Sequence, residues 1–414
     1  MLSHDSEIVI VGGGVFGLST ALWLACGGYR KITIFDRCAF DKNHYNPSKG
    51  CDGASADINK VFRMAYAHRT DYQDLAIVAR DFWLSWNKDI AESNLSQLPD
   101  GLTPDDKLFY ICGSHFLAEG PELPGYYADS LRTMEETAPE FREMQFGNPD
   151  DEKRLADIGR KWVEKYHTTD KINGGNTNGF MDIQGGITIV DKTASIIPEA
   201  HETVEATAGT VMFIDIPKDR HDLWERFHPD NYPVWSYRRG EGDDYYQGGG
   251  FPISKEGRLK FGFRGRKFTN FQDHPTQPDL RISTPKTKYT ADRIDTVPLY
   301  GLSRMKEVIA QGFPELVEFG FTDSRARESP LSAASQIGDL QLGRGHAFKF
   351  LPVLGKHVKN QLERVPDHFT SAWKWRVAEQ GKLNNGLSEG EHGPREMSKL
   401  EIASIRDFKL KQMR

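Results

Sequence analysis

Three glycines near the start of the chain have the spacing that lets a backbone approach a phosphate. Gly12, Gly14 and Gly17 form Gly-x-Gly-x-x-Gly around Val15 and Phe16, between the apolar run Glu7–Val11 and an Ala- and Leu-rich stretch from Leu18 to Ala25. The first glycine permits a tight turn, the second lets a pyrophosphate come close, and the third lets helix and strand pack together. The free N–H groups and positive dipole end of the helix then face the phosphates. Asp36 closes the next apolar run, Lys31–Phe35, where its carboxylate can accept hydrogen bonds from ribose hydroxyls. A glycine-rich structural turn is the competing reading. The order strand, loop, helix, strand, acid favours a dinucleotide, without separating FAD from NAD.

Basic residues in three later segments supply the second kind of chemistry. They are Ser55-Ala56-Asp57-Ile58-Asn59-Lys60-Val61-Phe62-Arg63, then Arg258-Leu259-Lys260-Phe261-Gly262, then Gly345-His346-Ala347-Phe348-Lys349-Phe350-Leu351-Pro352. In this order they resemble the monomeric sarcosine oxidase and fructosyl amino acid oxidase (amadoriase) family, most nearly its fungal saccharopine and pipecolate oxidase-like members. The resemblance implies an FAD-dependent oxidation of the C–N bond of a secondary amine or amino acid, with dioxygen reduced to hydrogen peroxide. It also implies that Arg63 and Lys349 hold the substrate carboxylate and that Lys260 sits beside the flavin where oxygen reacts. Arg37, Ser55, Asn59, Lys60, Gly345, His346 and Lys349 would join the glycine loop and Asp36 in lining the cofactor. These residue types suit the task, because a guanidinium grips a carboxylate bidentately and a lysine adds a movable point charge. A flavin-dependent dehydrogenase with another acceptor, or a non-catalytic remnant of the family, are the alternatives.

Each cation can equally be a solvated surface charge. Lys260 lies between Leu259 and Phe261 in a strand pattern, and alternation decides whether it points inward. Arg264, four residues on, would share its face and could read a second substrate carboxylate; a plain surface arginine is the other reading.

The elements that must position these groups follow from periodicity. Glu7–Val11 is expected as a buried parallel strand and Lys31–Phe35 as the second strand. Tyr72, Leu75, Ala79, Phe82, Trp83 and Trp86 make the stripe of an amphipathic helix. Residues 97–178 are polar and rich in proline and glycine, so loops and helices are expected there. Strands are expected at 186–190, 210–216, 245–253 and 259–263, and a helix over Met305–Phe313. The fold class is α/β: a discontinuous Rossmann-type FAD-binding domain (1–68, 180–206 and 325–385) with a mixed-sheet α+β substrate domain (69–179 and 207–324). Residues 386–414 are expected to form a surface tail. Between Lys192 and Ile196 there is no room for the last strands of a complete FAD domain, so some strands should be missing. Residues 321–345 contain no cysteine, so the family's covalent flavin link cannot form there and FAD is expected to be non-covalent.

Composition sets the outer limits. The 414 residues carry a net charge of −6 and are 38% hydrophobic, which gives no electrostatic reason to expect nucleic acid or an anionic membrane. Four cysteines, Cys26, Cys38, Cys51 and Cys112, lack the spacing of a zinc site or disulfide framework, so no metal is expected. Small amines or amino acids and dioxygen are the expected partners, and a monomer the expected state. A cytoplasmic or peroxisomal location is expected, although the chain ends in Lys411-Gln412-Met413-Arg414 rather than a peroxisomal address.

Overall fold

The computed structural model describes residues 3–36, 57–190, 205–240, 245–268, 270–274, 277–283, 286, 293–331, 347–369 and 396–411. The chain runs through β1 (Glu7–Val11), α1 (Val15–Cys26), β2 (Lys31–Phe35), β3 (Asn59–Phe62), α2 (Thr70–Glu92), β4 (Phe109–Tyr110), β5 (Ser114–Glu119) and α3 (Gly125–Thr137). It continues with β6 (Met144–Gln145), α4 (Pro149–Ile158), α5 (Arg160–Tyr166), β7 (Thr177–Asp182), β8 (Gly186–Ile189), β9 (Glu205–Asp215), α6 (His221–Arg226) and β10 (Val234–Arg239). Then come β11 (Tyr246–Gly250), β12 (Arg258–Phe268), β13 (Phe271–His274), β14 (Gln277–Ser283), α7 (Leu299–Gly312), β15 (Asp323–Leu331) and α8 (Leu351–Glu363).

The largest sheet has eight strands in the order β15-β9-β12-β11-β10-β5-β7-β6. It is mixed: β10 and β5 run parallel, and every other neighbouring pair is antiparallel. The alternation of Leu259, Phe261 and Phe263 in β12 buries one face among aliphatic and aromatic residues of α7, β9 and β10. Lys260 projects from the other face. A small antiparallel sheet, β3-β8-β4, lies beside it and carries Lys60.

β1 and β2 pair in parallel, as their apolar runs predict, but they are not buried strands. Among the described residues their sheet has two strands, and Val9 and Val11 remain 60% and 75% exposed. A doubly wound sheet buries such strands between helices on both faces. Here alternate residues of both strands stay open to solvent. Among the described residues no further strand pairs with β1 or β2 to complete such a sheet.

α1 is instead held from the far end of the chain. Gly355 of α8 packs so closely on α1 that a Cβ there would lie 1.8 Å from the Ser19 carbonyl oxygen. The Ser19 hydroxyl donates to Leu351 O at 2.5 Å and accepts from Gly355 N–H at 2.6 Å, and Trp23 Nε1 donates to Pro352 O at 2.8 Å. α2 adds a third side, with buried Leu75, Ala79 and Trp83 as its stripe predicts, while Phe82 and Trp86 are partly covered. The Trp83 indole donates to Lys349 O at 2.7 Å, which fixes the backbone just before α8.

Two other sequence expectations change. The polar stretch 97–178 supplies β5, a strand interior to the large sheet, because Ser114–Ala118 is buried on both sides despite its polar residues. The supposed surface tail packs over residues 396–411: Met397, Ala403, Phe408 and Leu410 join the core around α7. Their spacing follows no helix or strand period, which hid the burial from periodicity. No helix among the described residues is long and apolar enough to cross a membrane.

Candidate functional site

The glycine loop has the shape its spacing predicts. Gly12 takes φ +92°, in the left-handed region that favours glycine. A Cβ on Gly17 would sit 1.9 Å from the Gly12 carbonyl oxygen, so the loop closes only on a glycine. Gly14 is the N-cap of α1, so the loop leads directly into the first turn of that helix. Asp36 Oδ2 accepts from Gly13 N–H at 3.1 Å, so the acid also steadies the loop. Val15 is buried and Phe16 is borderline exposed beside it.

A second cluster joins β3 to β12. Lys260 is buried; its Nζ donates to Asn59 O at 2.6 Å, lies 3.1 Å from Asp57 Oδ1, and sits 3.8 Å from the Phe251 ring centroid. Lys60, also buried, lies 3.7 Å from Asp57 Oδ2. One buried carboxylate therefore serves two lysines. Removing it would leave like charges in a low-dielectric setting. Asn59 Oδ1 is buried without a hydrogen-bond partner, the kind of orphaned acceptor that a polar ligand edge can satisfy.

Arg63 and Lys349 form the third group. Both lie against Tyr66, the Arg63 guanidinium carbon 4.7 Å and Lys349 Nζ 4.6 Å from its ring centroid. Phe116 flanks Arg63 at 5.7 Å and Phe350 flanks Lys349 at 5.2 Å. Burial holds the Lys349 ammonium well below the usual lysine range, the nearby Arg63 charge adds to this, and Asp182 opposes it. Asp182 accepts from the N–H groups of Met64 (3.1 Å), Gln184 (3.0 Å) and Gly185 (2.8 Å), so it fixes the backbone next to Arg63. Burial nevertheless pushes its carboxyl up. Two basic side chains with no ion-paired carboxylate among the described residues, in an aromatic enclosure, are arranged to receive an anion.

The structure thus brings Arg63 and Lys349 together and buries Lys60 with Lys260. Arg264 is exposed in the middle of β12, four residues from Lys260 and on the same sheet face. Arg37, Ser55, Gly345 and His346 lie outside the described residues. Sequence reading missed Asp57, Tyr66 and Asp182. Asp57 and Tyr66 flank the Asn59–Arg63 segment and could have been found by asking which acid and ring a buried lysine and arginine require. Asp182 becomes a neighbour only through sheet pairing. No metal-binding group of three or more His, Cys, Asp or Glu residues occurs among the described residues.

Comparison with known proteins gives the same picture. No protein-family model matches. The chain is 24% identical over 430 aligned residues to L-saccharopine oxidase of Schizosaccharomyces pombe, covering 89% of this chain and 93% of that protein. It is 29% identical over 160 residues to amino acid oxidase imqH of Aspergillus flavus, a match that spans 35% of this chain and only 32% of imqH. Among solved structures, fructosyl peptide oxidase from E. terrenum superposes with a TM-score of 0.64 at 17% identity, over 98% of this chain and all of that one (100%). Amadoriase II of Aspergillus fumigatus gives 0.59 at 16% identity, over 91% of each chain. In fold the chain is similar to these amadoriase-type oxidases, and in sequence it is similar to L-saccharopine oxidase over most of its length.

Proposed function

We propose that the protein is an FAD-dependent oxidase that converts the C–N bond of a secondary amine or amino acid to an imine, with dioxygen reduced to hydrogen peroxide. The observation that carries this reading is the convergence of Arg63 and Lys349 on Tyr66, on the same side of the large sheet as buried Lys260. The glycine loop at the start of α1 and the orphaned Asn59 oxygen fit a bound flavin dinucleotide. FAD, when bound, supplies the electron acceptance and the reaction with oxygen.

The chain's own residues do the rest. Arg63 and Lys349 grip the substrate carboxylate and fix the orientation of the adjacent C–H, which lowers the entropic part of the barrier. The aromatic walls of Tyr66, Phe116 and Phe350 exclude water and strengthen that grip. Lys260, kept in place by Asn59 O and Asp57, offers positive charge where negative charge develops on oxygen. Asp36 and the glycine loop hold the dinucleotide. With no cysteine in 321–345, FAD is held non-covalently. Arg264, at the rim, meets the outer part of a longer substrate.

An absorption spectrum from about 300 to 550 nm, before and after acid precipitation, tests the cofactor; flavin bands that pass wholly into the supernatant are expected. Peroxide release on adding secondary amino acids tests the reaction. A protein that stays colourless after incubation with FAD would overturn the proposal, and slow reoxidation of substrate-reduced flavin in air would favour a dehydrogenase.

A further inference from the structure

Arg63 packs over Phe116 of the large sheet, and that face carries a further cation. Ser236 stands opposite both Phe116 and Gly249, and Gly249 opposite Gly262. Paired residues project to one side, so Arg238, Phe116 and Lys260 share a face. Arg238 lies two residues beyond the Phe116 row and farther from Lys260, a step of about 7 Å along the strand.

Arg238 is half-buried, and its guanidinium carbon lies 5.8 Å from the Tyr126 ring centroid and 5.4 Å from that of Tyr127. No carboxylate among the described residues pairs with it, although the neighbouring Arg239 has Glu307. Tyr127 also packs edge-on against Phe116 at 6.2 Å, the ring beneath Arg63. A tyrosine wall therefore runs from the first carboxylate site to a second guanidinium.

We propose that Arg238 is a specificity-determining residue that binds a second carboxylate, so that the substrate is a dicarboxylic secondary amine. The inference rests on the oxidase reading above and adds a substrate class to it. An arginine planted among rings and lacking an acidic partner is completed by an anion. Its place along the face sets the reach: a substrate whose first carboxylate sits at Arg63 and Lys349 places the second about four to six bonds away, on the side remote from Lys260.

Two matched pairs of amines test this: N-methyl-L-glutamate against N-methyl-L-norvaline, and N-(3-carboxypropyl)glycine against N-butylglycine. Each pair differs by one carboxylate at nearly constant size. The flavin-loaded wild-type protein should favour the dicarboxylate of at least one pair in kcat/KM by about ten- to a hundredfold, through KM, as one charge-assisted hydrogen bond supplies. Arg238→Gln should bring that ratio close to one, and Arg238→Lys should keep part of it. No preference in the wild type, or a preference that survives Arg238→Gln, overturns the proposal. Calorimetric binding of the same dicarboxylates separates the two levels. Binding that depends on Arg238 without any oxidation would sustain the subsite and sink the oxidase. Oxidation of all four amines with no dependence on Arg238 would do the reverse.

Discussion

Lys349 should be a residue that the apoprotein would be more stable without. Its side chain is 1% exposed, lies against two aromatic rings, faces the Arg63 guanidinium and has no ion-paired carboxylate among the described residues. Replacing a buried charge by an apolar side chain of similar length is worth about 1–4 kcal/mol in comparable settings. Lys349→Met should therefore raise the urea midpoint of flavin-free protein at pH 7 while abolishing binding of a carboxylate substrate. The pH dependence follows from the direction of the shift. The native-state pKa lies below the unfolded value, so between the two the unfolded chain binds more protons and wild-type stability rises with pH. Lys349→Met lacks this gain, so its advantage should be largest near neutrality and shrink as the pH approaches about 10. Urea titrations at pH 7, 8, 9 and 10 read this directly. A variant less stable than wild type at pH 7, or a gap that stays constant with pH, would refute the reasoning.

Other consequences can be measured with the same assays. Asp57→Asn leaves Lys60 and Lys260 without their shared carboxylate and should lower stability by about 3–5 kcal/mol and slow reoxidation of reduced flavin; stopped-flow absorbance with a urea titration checks both. Glu143 is fully buried with neither carboxylate oxygen hydrogen-bonded, and burial raises its pKa well above the usual range. Its native-state pKa exceeds the unfolded one, so stability is lost as the pH rises between them. Glu143→Gln should flatten that slope in urea midpoints from pH 4 to 8. Gly355→Ala drives a methyl group into the Ser19 carbonyl and should destabilise by about 1–3 kcal/mol or more through overpacking, seen as a lower thermal midpoint. Gly17→Ala should abolish flavin binding, since its Cβ collides with Gly12 O; retention of colour after gel filtration would contradict this.

How far the sequence alone reached depends on whether a residue's role is local. The glycine loop, α1, β2 and the stripe of α2 were legible because periodicity and spacing are properties of one segment. Burial of Lys260 between Leu259 and Phe261 could not be read, since alternation leaves either face possible until β9 and β11 pair with β12. Asp182 and Arg238 were invisible for a stronger reason. Each meets Arg63 or its tyrosines only after β5, β7 and β10 align, and no nearby motif marks them. The burial of 396–411 escaped because irregular backbone can bury every third or fourth residue without a period. The exposed valines of β1 show the opposite case, where a run reads as a buried strand and nothing among the described residues covers it.

The clamp between α1 and α8 has a consequence for how the chain is made. Ser19 and Leu351 meet across 332 residues, so the first helix emerges long before its packing partner exists. At roughly 5–20 residues per second, synthesis of the intervening chain takes about 15–65 s. For that interval Leu18, Trp23 and Leu24 have no apolar surface from α8 to lie against, and the glycine loop cannot be held rigid from behind. Capture of a dinucleotide by this loop would therefore wait for the α8 residues around 351–355. A ribosome stalled anywhere before residue 355 would display a nucleotide loop with nothing to brace it.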